Sequence, residues 1–494
     1  MQLYLLLMPA IKKAGVNGLI YKACNGVNEK MKVLLLATNR LTTPYPVYPI
    51  GLDYVAGAIT PPHKTHIIDL CFEGDQPDKI ETRIREFAPD IVGLSLRNVD
   101  TSDSINTQHF IDQYKDIISM VRRATRAQVV LGGSAFSIFP EQFMQTLDAE
   151  YGIVGDGERL AQLVDAIEKG DDVSDLPGVI VNPGFKSTAF SNGINGGKMK
   201  ENSSLWEGTV TRAFDKNRPY LNFYLKNGGI LNLQTKRGCP FRCIYCTYPL
   251  IDGSYMRCFE PESVGRMARE LQDAGAKFIY ITDSSFNADV AHSIAVAEAF
   301  VRNHISIPWG GFFTPRRLPA DYFRKMADCG LTHVEFGTDA LCDATLSSYH
   351  KPFKLEQVFE SHRMARDAGL FVAHYLIVGG PGEDEQTLKE TLDNAEKLEQ
   401  TVLFFFFRMR IYPGTFLHTI ALNEGNPEYN DVFTRQVFYR TDPMWNDMIV
   451  RTVRERSHGR PNWITGSGGE NMEKVISRMY SRGRTGPLWE KLIQ

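Results

Sequence analysis

A chain of 494 residues, 43% hydrophobic and 23% charged, with a formal net charge of −3, is long enough for two or three cores and lacks the basic excess of a nucleic-acid binder. Eight cysteines are too few for a disulfide scaffold. Three of them fall within eight residues, which points to metal or redox chemistry in a reducing, cytoplasmic compartment. The opening "MQLYLLLMPAIKKAG" is too short to span a bilayer and lacks the leading basic residues of a signal peptide. Residues 1–30 are therefore expected to be a dispensable extension, with Met31 as an alternative start.

From 31 to 170 short apolar runs alternate with helical patterns. The runs are "KVLLLAT" (32–38), "THIIDL" (65–70), "DIVGLSL" (90–96), "QVVLGG" (128–133) and "YGIVGDG" (151–157). Near-continuous apolar runs suit parallel strands covered on both faces, so this part is expected to be a doubly wound, Rossmann-like α/β domain. Residues 171–228 are rich in Gly, Asn and Ser and read as a linker. A second alternation runs over 229–425, with strands at "GILNLQT" (229–235), "KFIYIT" (277–282), "IPWGGF" (307–312), "HVEFGT" (333–338), "FVAHYLIVGG" (371–380) and "LFFFFRMRI" (403–411). Six βα units predict a partial (β/α)6 barrel with its site at the carboxyl ends of the strands. Residues 426–494 read as a C-terminal cap without an assigned role.

The cysteine cluster is "KRGCPFRCIYCTYPLIDG" (236–253), immediately after the first barrel strand. Cys239, Cys243 and Cys246 could be three-quarters of a zinc site, with Cys258 or His292 as the fourth ligand. Alternatively they could hold an iron–sulfur cubane with one iron left open to bind a substrate or cofactor.

The C-x3-C-x2-C spacing, with Tyr245 before the last cysteine, resembles the radical S-adenosylmethionine (radical SAM) superfamily. The resemblance implies a [4Fe-4S] cluster on the three cysteines whose open iron chelates S-adenosylmethionine. One electron then cleaves the sulfonium to a 5′-deoxyadenosyl radical, while the protein orients the reactants and excludes water. Further segments agree in order: "YITDSSFN" (280–287), "VEFGTDAL" (334–341), "LIVGGPGED" (376–384) and "RIYPGTFL" (410–417). By this match Tyr245, Asp283, Glu335, Asp339, Gly379 and Gly380 are the expected S-adenosylmethionine contacts. The family more often has Glu-Ser where this chain has Thr338 and Asp339, so the ribose contact is open between Glu335 and Asp339.

The first domain resembles the cobalamin-binding domain of cobalamin-dependent radical SAM enzymes, through "PVYPIGLDYVAGAI" (46–59), "GLSLRN" (93–98), "LGGSAFSIFPE" (131–141) and "GIVGDGE" (152–158). Glycines and small hydroxyls at strand ends let a large flat macrocycle approach the backbone. The match implies contacts from Gly51, Ser95, Asn98, Gly132, Gly133, Ser137, Gly155, Gly157 and Glu158. No D-x-H-x-x-G motif is present to supply a lower axial histidine; His63, His66 and His109 lack that context, and His109 reads as a solvated helix residue. A vestigial domain that binds no cobalamin is the alternative.

The implied reaction is methyl transfer to an unactivated carbon or phosphorus of a small natural-product or lipid-type substrate, with electrons from a flavodoxin- or ferredoxin-type donor. Rearrangement, cyclisation or oxidation without methyl transfer is the alternative. In "LFFFFRM" (403–409) alternate phenylalanines must face the helices, so two of the four are expected in the core. A methylthiotransferase would need a second cluster, for which Cys24 and Cys71 do not suffice. Cys258, Cys329 and Cys342 read as ordinary buried thiols, and no catalytic side chain is singled out.

Overall fold

The computed structural model describes residues 31–182, 211–439 and 443–493; the expected N-terminal extension, Cys24 and positions 183–210 of the expected linker lie outside them. The first sheet is built from β1 (Lys32–Ala37), β2 (Lys64–Asp69), β3 (Ile91–Ser95), β4 (Gln128–Gly132), β5 (Tyr151–Ile153) and β6 (Val179–Val181), in the order β2–β1–β3–β4–β5–β6. The first five are parallel and β6 is antiparallel to β5. Alternate residues of the apolar runs bury against helices on opposite faces. Leu34, Leu36, Val92 and Leu94 pack with Ile80, Ile84 and Ile117, and Val33, Leu35, Ile91 and Val130 with Leu52, Leu160 and Leu163. The strand order reverses at β1 and β3, the switch point where open α/β sheets bind ligands at their carboxyl ends.

β6 falls inside the stretch read as a linker, where three residues in a Gly- and Pro-rich context give no periodicity to read. The helix Leu221–Lys226 lies there too, and the stretch leading to it is anchored rather than loose. Arg212 reaches Asp53 of the first domain at 3.0 Å and the backbone oxygen of Asn232 at 2.9 Å.

The second domain contributes β7 (Ile230–Leu233), a two-stranded ribbon of β8 (Lys236–Arg237) and β9 (Arg257–Cys258), and then β10 (Phe278–Ile281), β11 (Trp309–Phe313), β12 (Leu331–Asp339), β13 (Phe371–Val378), β14 (Thr401–Phe407) and β15 (Trp463–Thr465). All but the ribbon form one parallel sheet in the order β15–β14–β13–β12–β11–β10–β7. The six expected strands are joined by β15, which comes from the region read as a cap and is too short to carry a period. Between strands, the helix Pro261–Asp273 starts with its proline in the first turn and is capped by Glu260, and Gly275 (φ +102°) turns the chain out of it. Phe405 and Phe407 join the helix-facing core, whereas Phe404 and Phe406 stack with Tyr375 on the interior face.

Candidate functional site

The cysteine loop is an excursion from the β8–β9 ribbon at the carboxyl end of β7. Gly238 (φ +83°) lets it leave the ribbon, since a Cβ there would lie 2.0 Å from the Tyr255 oxygen. Burial pushes the Cys243 thiol up and the Lys351 charge pulls it back. Cys246 is pushed up to about 12, by burial first and then by the charges of Cys243 and Cys239. Two neighbouring thiols, Cys243 and Cys246, that resist ionisation alone fit a group whose positive charge would neutralise them as thiolates. Zinc fits less well. Cys258 sits at the base of the ribbon, where its charged neighbours are Lys236, Asp289 and Asp283, and His292 is bonded to the Phe259 oxygen at 2.8 Å. Among the described residues no three ligating side chains close on a single ion. A cubane does not require that, because each thiolate meets its own iron.

The six residues expected at S-adenosylmethionine separate into distinct settings. Tyr245 donates to Asp339 at 2.6 Å, and Lys351 pairs with the same carboxylate oxygen at 2.6 Å. Asp339 ends β12 at φ +66°, beside a register shift, a local strain typical of functional sites. Lys351 had no sequence signal of its own. Burial works against its charge, but Asp339 and Cys243 hold its pKa above the ordinary value. Asp283 is wholly occupied in anchoring the start of the cysteine loop, accepting from the Thr235 nitrogen (2.8 Å), the Thr235 hydroxyl (2.5 Å) and Lys236 Nζ (2.9 Å). Glu335 lies four residues before Asp339 and accepts from Tyr280 (3.0 Å), Tyr375 (2.9 Å) and Trp489 (3.0 Å). Of Glu335 and Asp339, Asp339 bonds Tyr245 of the cysteine loop, whereas the side-chain partners of Glu335 lie outside that loop. Gly379 (φ +94°) donates to Glu383, and Gly380 donates to Tyr349 at 3.0 Å.

Of the nine residues expected at cobalamin, all but Ser137 line one cavity of about 580 Å³. The Ser137 hydroxyl stands behind the cavity wall and accepts from the Gly155 nitrogen at 2.9 Å. Gly133 is required by packing as well as conformation: at φ +94°, its Cβ would lie 2.6 Å from the Leu96 oxygen. The opposite wall comes from the second domain, through Gln234, Arg237, Thr247, Tyr248, Ile251 and Asp252. The segment after the last cysteine therefore faces the strand ends of the first domain. A cavity with glycine-bearing strand ends on one side and residues flanking the cysteines on the other fits a flat macrocycle set near the cluster site. Glu158 lines it, but its carboxylate is held by Arg237 at 2.6 and 3.0 Å.

None of the three histidines lines this cavity. His63 bonds Asp165 at 2.9 Å, and burial lowers the pKa of His66 beside Arg83. His109 precedes its helix rather than lying in it, and it bonds the Phe433 oxygen at 2.9 Å, so it belongs to a contact between distant segments and not to a solvated face.

Comparison with known proteins agrees with this geometry. The radical SAM superfamily model matches residues 233–395 and the B12 binding domain model matches residues 37–164, together more than half of the chain. A tryptophan 2-C-methyltransferase from Streptomyces laurentii is 24% identical over 441 residues, covering 78% of this chain and 73% of that one. A cytidylyl-2-hydroxyethylphosphonate methyltransferase from Streptomyces wedmorensis is 24% identical over 433 residues, covering 76% of this chain and 79% of that one. The fold matches the radical S-adenosylmethionine methyltransferase TsrM from Kitasatospora setae, solved with cobalamin and a [4Fe-4S] cluster bound, with a TM-score of 0.82 at 22% identity over 94% of this chain and 97% of that one. With both models on one chain, the protein belongs to the cobalamin-binding-domain-containing family of radical S-adenosylmethionine enzymes.

Proposed function

We propose that the protein is a cobalamin-dependent methyltransferase acting on an unactivated carbon or phosphorus of a small molecule. The observation that carries this reading is the shared cavity, in which the strand ends of the first domain face the cysteine loop of the second. The curated relatives named above are a tryptophan 2-C-methyltransferase and a cytidylyl-2-hydroxyethylphosphonate methyltransferase, which supports methyl transfer without choosing the substrate. When bound, the cluster supplies the electron that cleaves S-adenosylmethionine to a 5′-deoxyadenosyl radical, and cobalamin carries the methyl group.

The chain's own residues supply the geometry. Cys239, Cys243 and Cys246 would hold the cluster, and the buried Lys351 offsets negative charge there, a favourable term inside a low-dielectric site. Asp339, fixed by Tyr245 and Lys351, is positioned to accept from the ribose hydroxyls of S-adenosylmethionine, and the Gly379–Gly380 backbone, packed against Ile449 and Tyr349, would border its adenine. Asp283 and Glu335 act one step back, the first by anchoring the loop and the second by fixing two tyrosines. Gly51, Ser95, Asn98, Gly132, Gly133, Gly155 and Gly157 would take the corrinoid against the backbone. Tyr248 and Ile251 would shield the reacting centre from water. Electrons would come from a flavodoxin- or ferredoxin-type donor in the cytoplasm. No helix of the described residues is long and apolar enough to cross a membrane.

Two experiments test the reading. Anaerobically reconstituted protein with dithionite should convert S-adenosylmethionine to 5′-deoxyadenosine, and Cys243→Ala should lose this entirely; equal yields would sink the radical assignment. Asp339→Asn should weaken S-adenosylmethionine binding about tenfold, as expected for a lost hydrogen bond to a charged group. An unchanged Kd would remove Asp339 from the site.

A further inference from the structure

The β8–β9 ribbon that closes the base of the cysteine loop sets Arg237 directly opposite Arg257. Like charges facing each other across antiparallel strands are destabilising. Here Asp156 lies between them: Arg237 donates to its Oδ1 at 3.1 Å, and Arg257 donates to both of its oxygens. Arg237 also donates to both oxygens of Glu158 and lies over the Tyr54 ring at 5.1 Å. Asp156, Glu158 and Tyr54 all belong to the first domain, while Arg237 Nε holds Gln234 and Arg257 holds the Asp252 oxygen within their own domain. Asp156 and Glu158 alternate with Gly155 and Gly157 in the turn after β5, so the glycines edge the cavity while the carboxylates are gripped by the ribbon that carries the cysteines.

The network is buried, with the side chains of Arg237, Asp156 and Glu158 only 8%, 11% and 14% exposed. Burial opposes ionisation of Asp156, but the hydrogen bond from Arg257 and the charges of both arginines hold its carboxyl below the ordinary range. Unlike a surface ion pair, a buried one strands a charge when either partner is removed.

We infer that Arg237 and Arg257, through Asp156 and Glu158, are positioning residues that set the distance between the corrinoid and the cluster. This rests on the two-cofactor reading above. Transfer between two bound groups is sensitive to displacements of about 1 Å, and here one carboxylate pair ties the corrinoid turn to the cluster loop. It also gives Glu158 a different task from the expected one, as a strut for the turn rather than a contact to the corrinoid.

The test compares full-length wild type with Arg237→Gln, Glu158→Gln and Arg237→Lys, each reconstituted anaerobically with iron, sulfide and hydroxocobalamin. Iron and cobalamin per chain should match wild type in all of them. In electron paramagnetic resonance, broadening of the cob(II)alamin signal by the reduced cluster should change in both glutamine variants. Transfer of the S-adenosylmethionine methyl to chemically reduced cobalamin, read as S-adenosylhomocysteine released, should fall about tenfold in them, with partial recovery in Arg237→Lys. In the protein without cofactors, Glu158→Gln should speed hydrogen exchange severalfold across residues 238–256, although the substitution lies in the other domain. Should Arg237→Gln fail to accumulate, Glu158→Gln, which keeps the shape and removes the charge, carries the same expectations. Wild-type broadening and rates in the variants overturn the positioning role, as does cobalamin loss in proportion to the rate. Wild type that takes up no cobalamin overturns the two-cofactor reading itself.

Discussion

The two parallel sheets present opposite chemistry at their carboxyl ends. In the first domain glycines and small hydroxyls dominate the strand ends around one cavity, and the carboxylate that ends β2, Asp69, is held by Tyr224. In the second, three of the expected contacts are carboxylates, beside the two glycines that follow β13, and two of the three are already spent: Asp283 on Thr235 and Lys236, and Glu335 on Tyr280, Tyr375 and Trp489. Asp339 alone of the three meets the loop at its cysteines, through Tyr245 and the Lys351 whose charge acts on Cys243. A glycine at a strand end declares its purpose locally, through φ and the space it leaves, whereas a carboxylate takes its role from partners that can be anywhere in the chain.

The sharpest way to break this contrast is Asp283→Asn. Lys236 is 1% exposed and Asp283 0%, so the substitution leaves a buried ammonium without its counterion. Removing one partner of such a pair costs about 3–5 kcal/mol. Chemical denaturation of the cofactor-free protein should show that loss with S-adenosylmethionine affinity kept in the folded protein, while Asp339→Asn, which strands the buried Lys351 in the same way, should lose affinity as well as stability. If the two variants behaved alike, the division between anchor and ligand would fail.

The same contrast explains what the sequence disclosed. Strand positions were legible because apolar runs such as "VLLL" and "IYI" are local, and so was the three-cysteine loop, whose spacing is its own signature. The glycine-bearing turns of the first domain were legible for the reason just given. Lys351 was not, because only the tertiary fold brings it to Asp339, twelve residues away, and to Cys243. Nor was the occupation of Glu158, whose partner Arg237 is 79 residues distant. β15 escaped notice because three residues carry no period, and its region looked like an appendage although it completes the sheet.

Glu383, in the loop after β13, offers a second probe of a spent carboxylate. Burial raises its pKa from 4.5 to about 7, against hydrogen bonds from the Gly379 and Gly380 backbone and Tyr349 that lower it. Because the folded pKa is raised, the group's contribution to stability is fully present below about 4.5 and is lost as the pH rises to about 7. Over that window wild type should lose about 3 kcal/mol relative to Glu383→Gln, at about 1.36 kcal/mol per pKa unit. Parallel stability–pH curves for the two proteins would show that Glu383 is ionised in the folded state throughout.

Trp489 makes the smallest of these tests and the most discriminating. It comes from the last residues of the chain and donates its indole N–H to Glu335 Oε1 at 3.0 Å, while its ring packs with Ala373, Val402 and Ile464. Trp489→Phe keeps most of the ring and removes the donor, leaving a buried carboxylate oxygen short of a partner at a cost of about 2 kcal/mol. If Glu335 is a strut, this loss should shrink in a Glu335→Gln background, and a double-mutant cycle should return a coupling well above the few tenths expected of independent sites. S-adenosylmethionine affinity should then be unchanged in Trp489→Phe, since the proposed ribose contact is Asp339 and not Glu335. Additive stabilities together with weakened cofactor binding would reverse the assignment: Glu335 would be the ligand, and the C-terminal segment would be the wall that aims it.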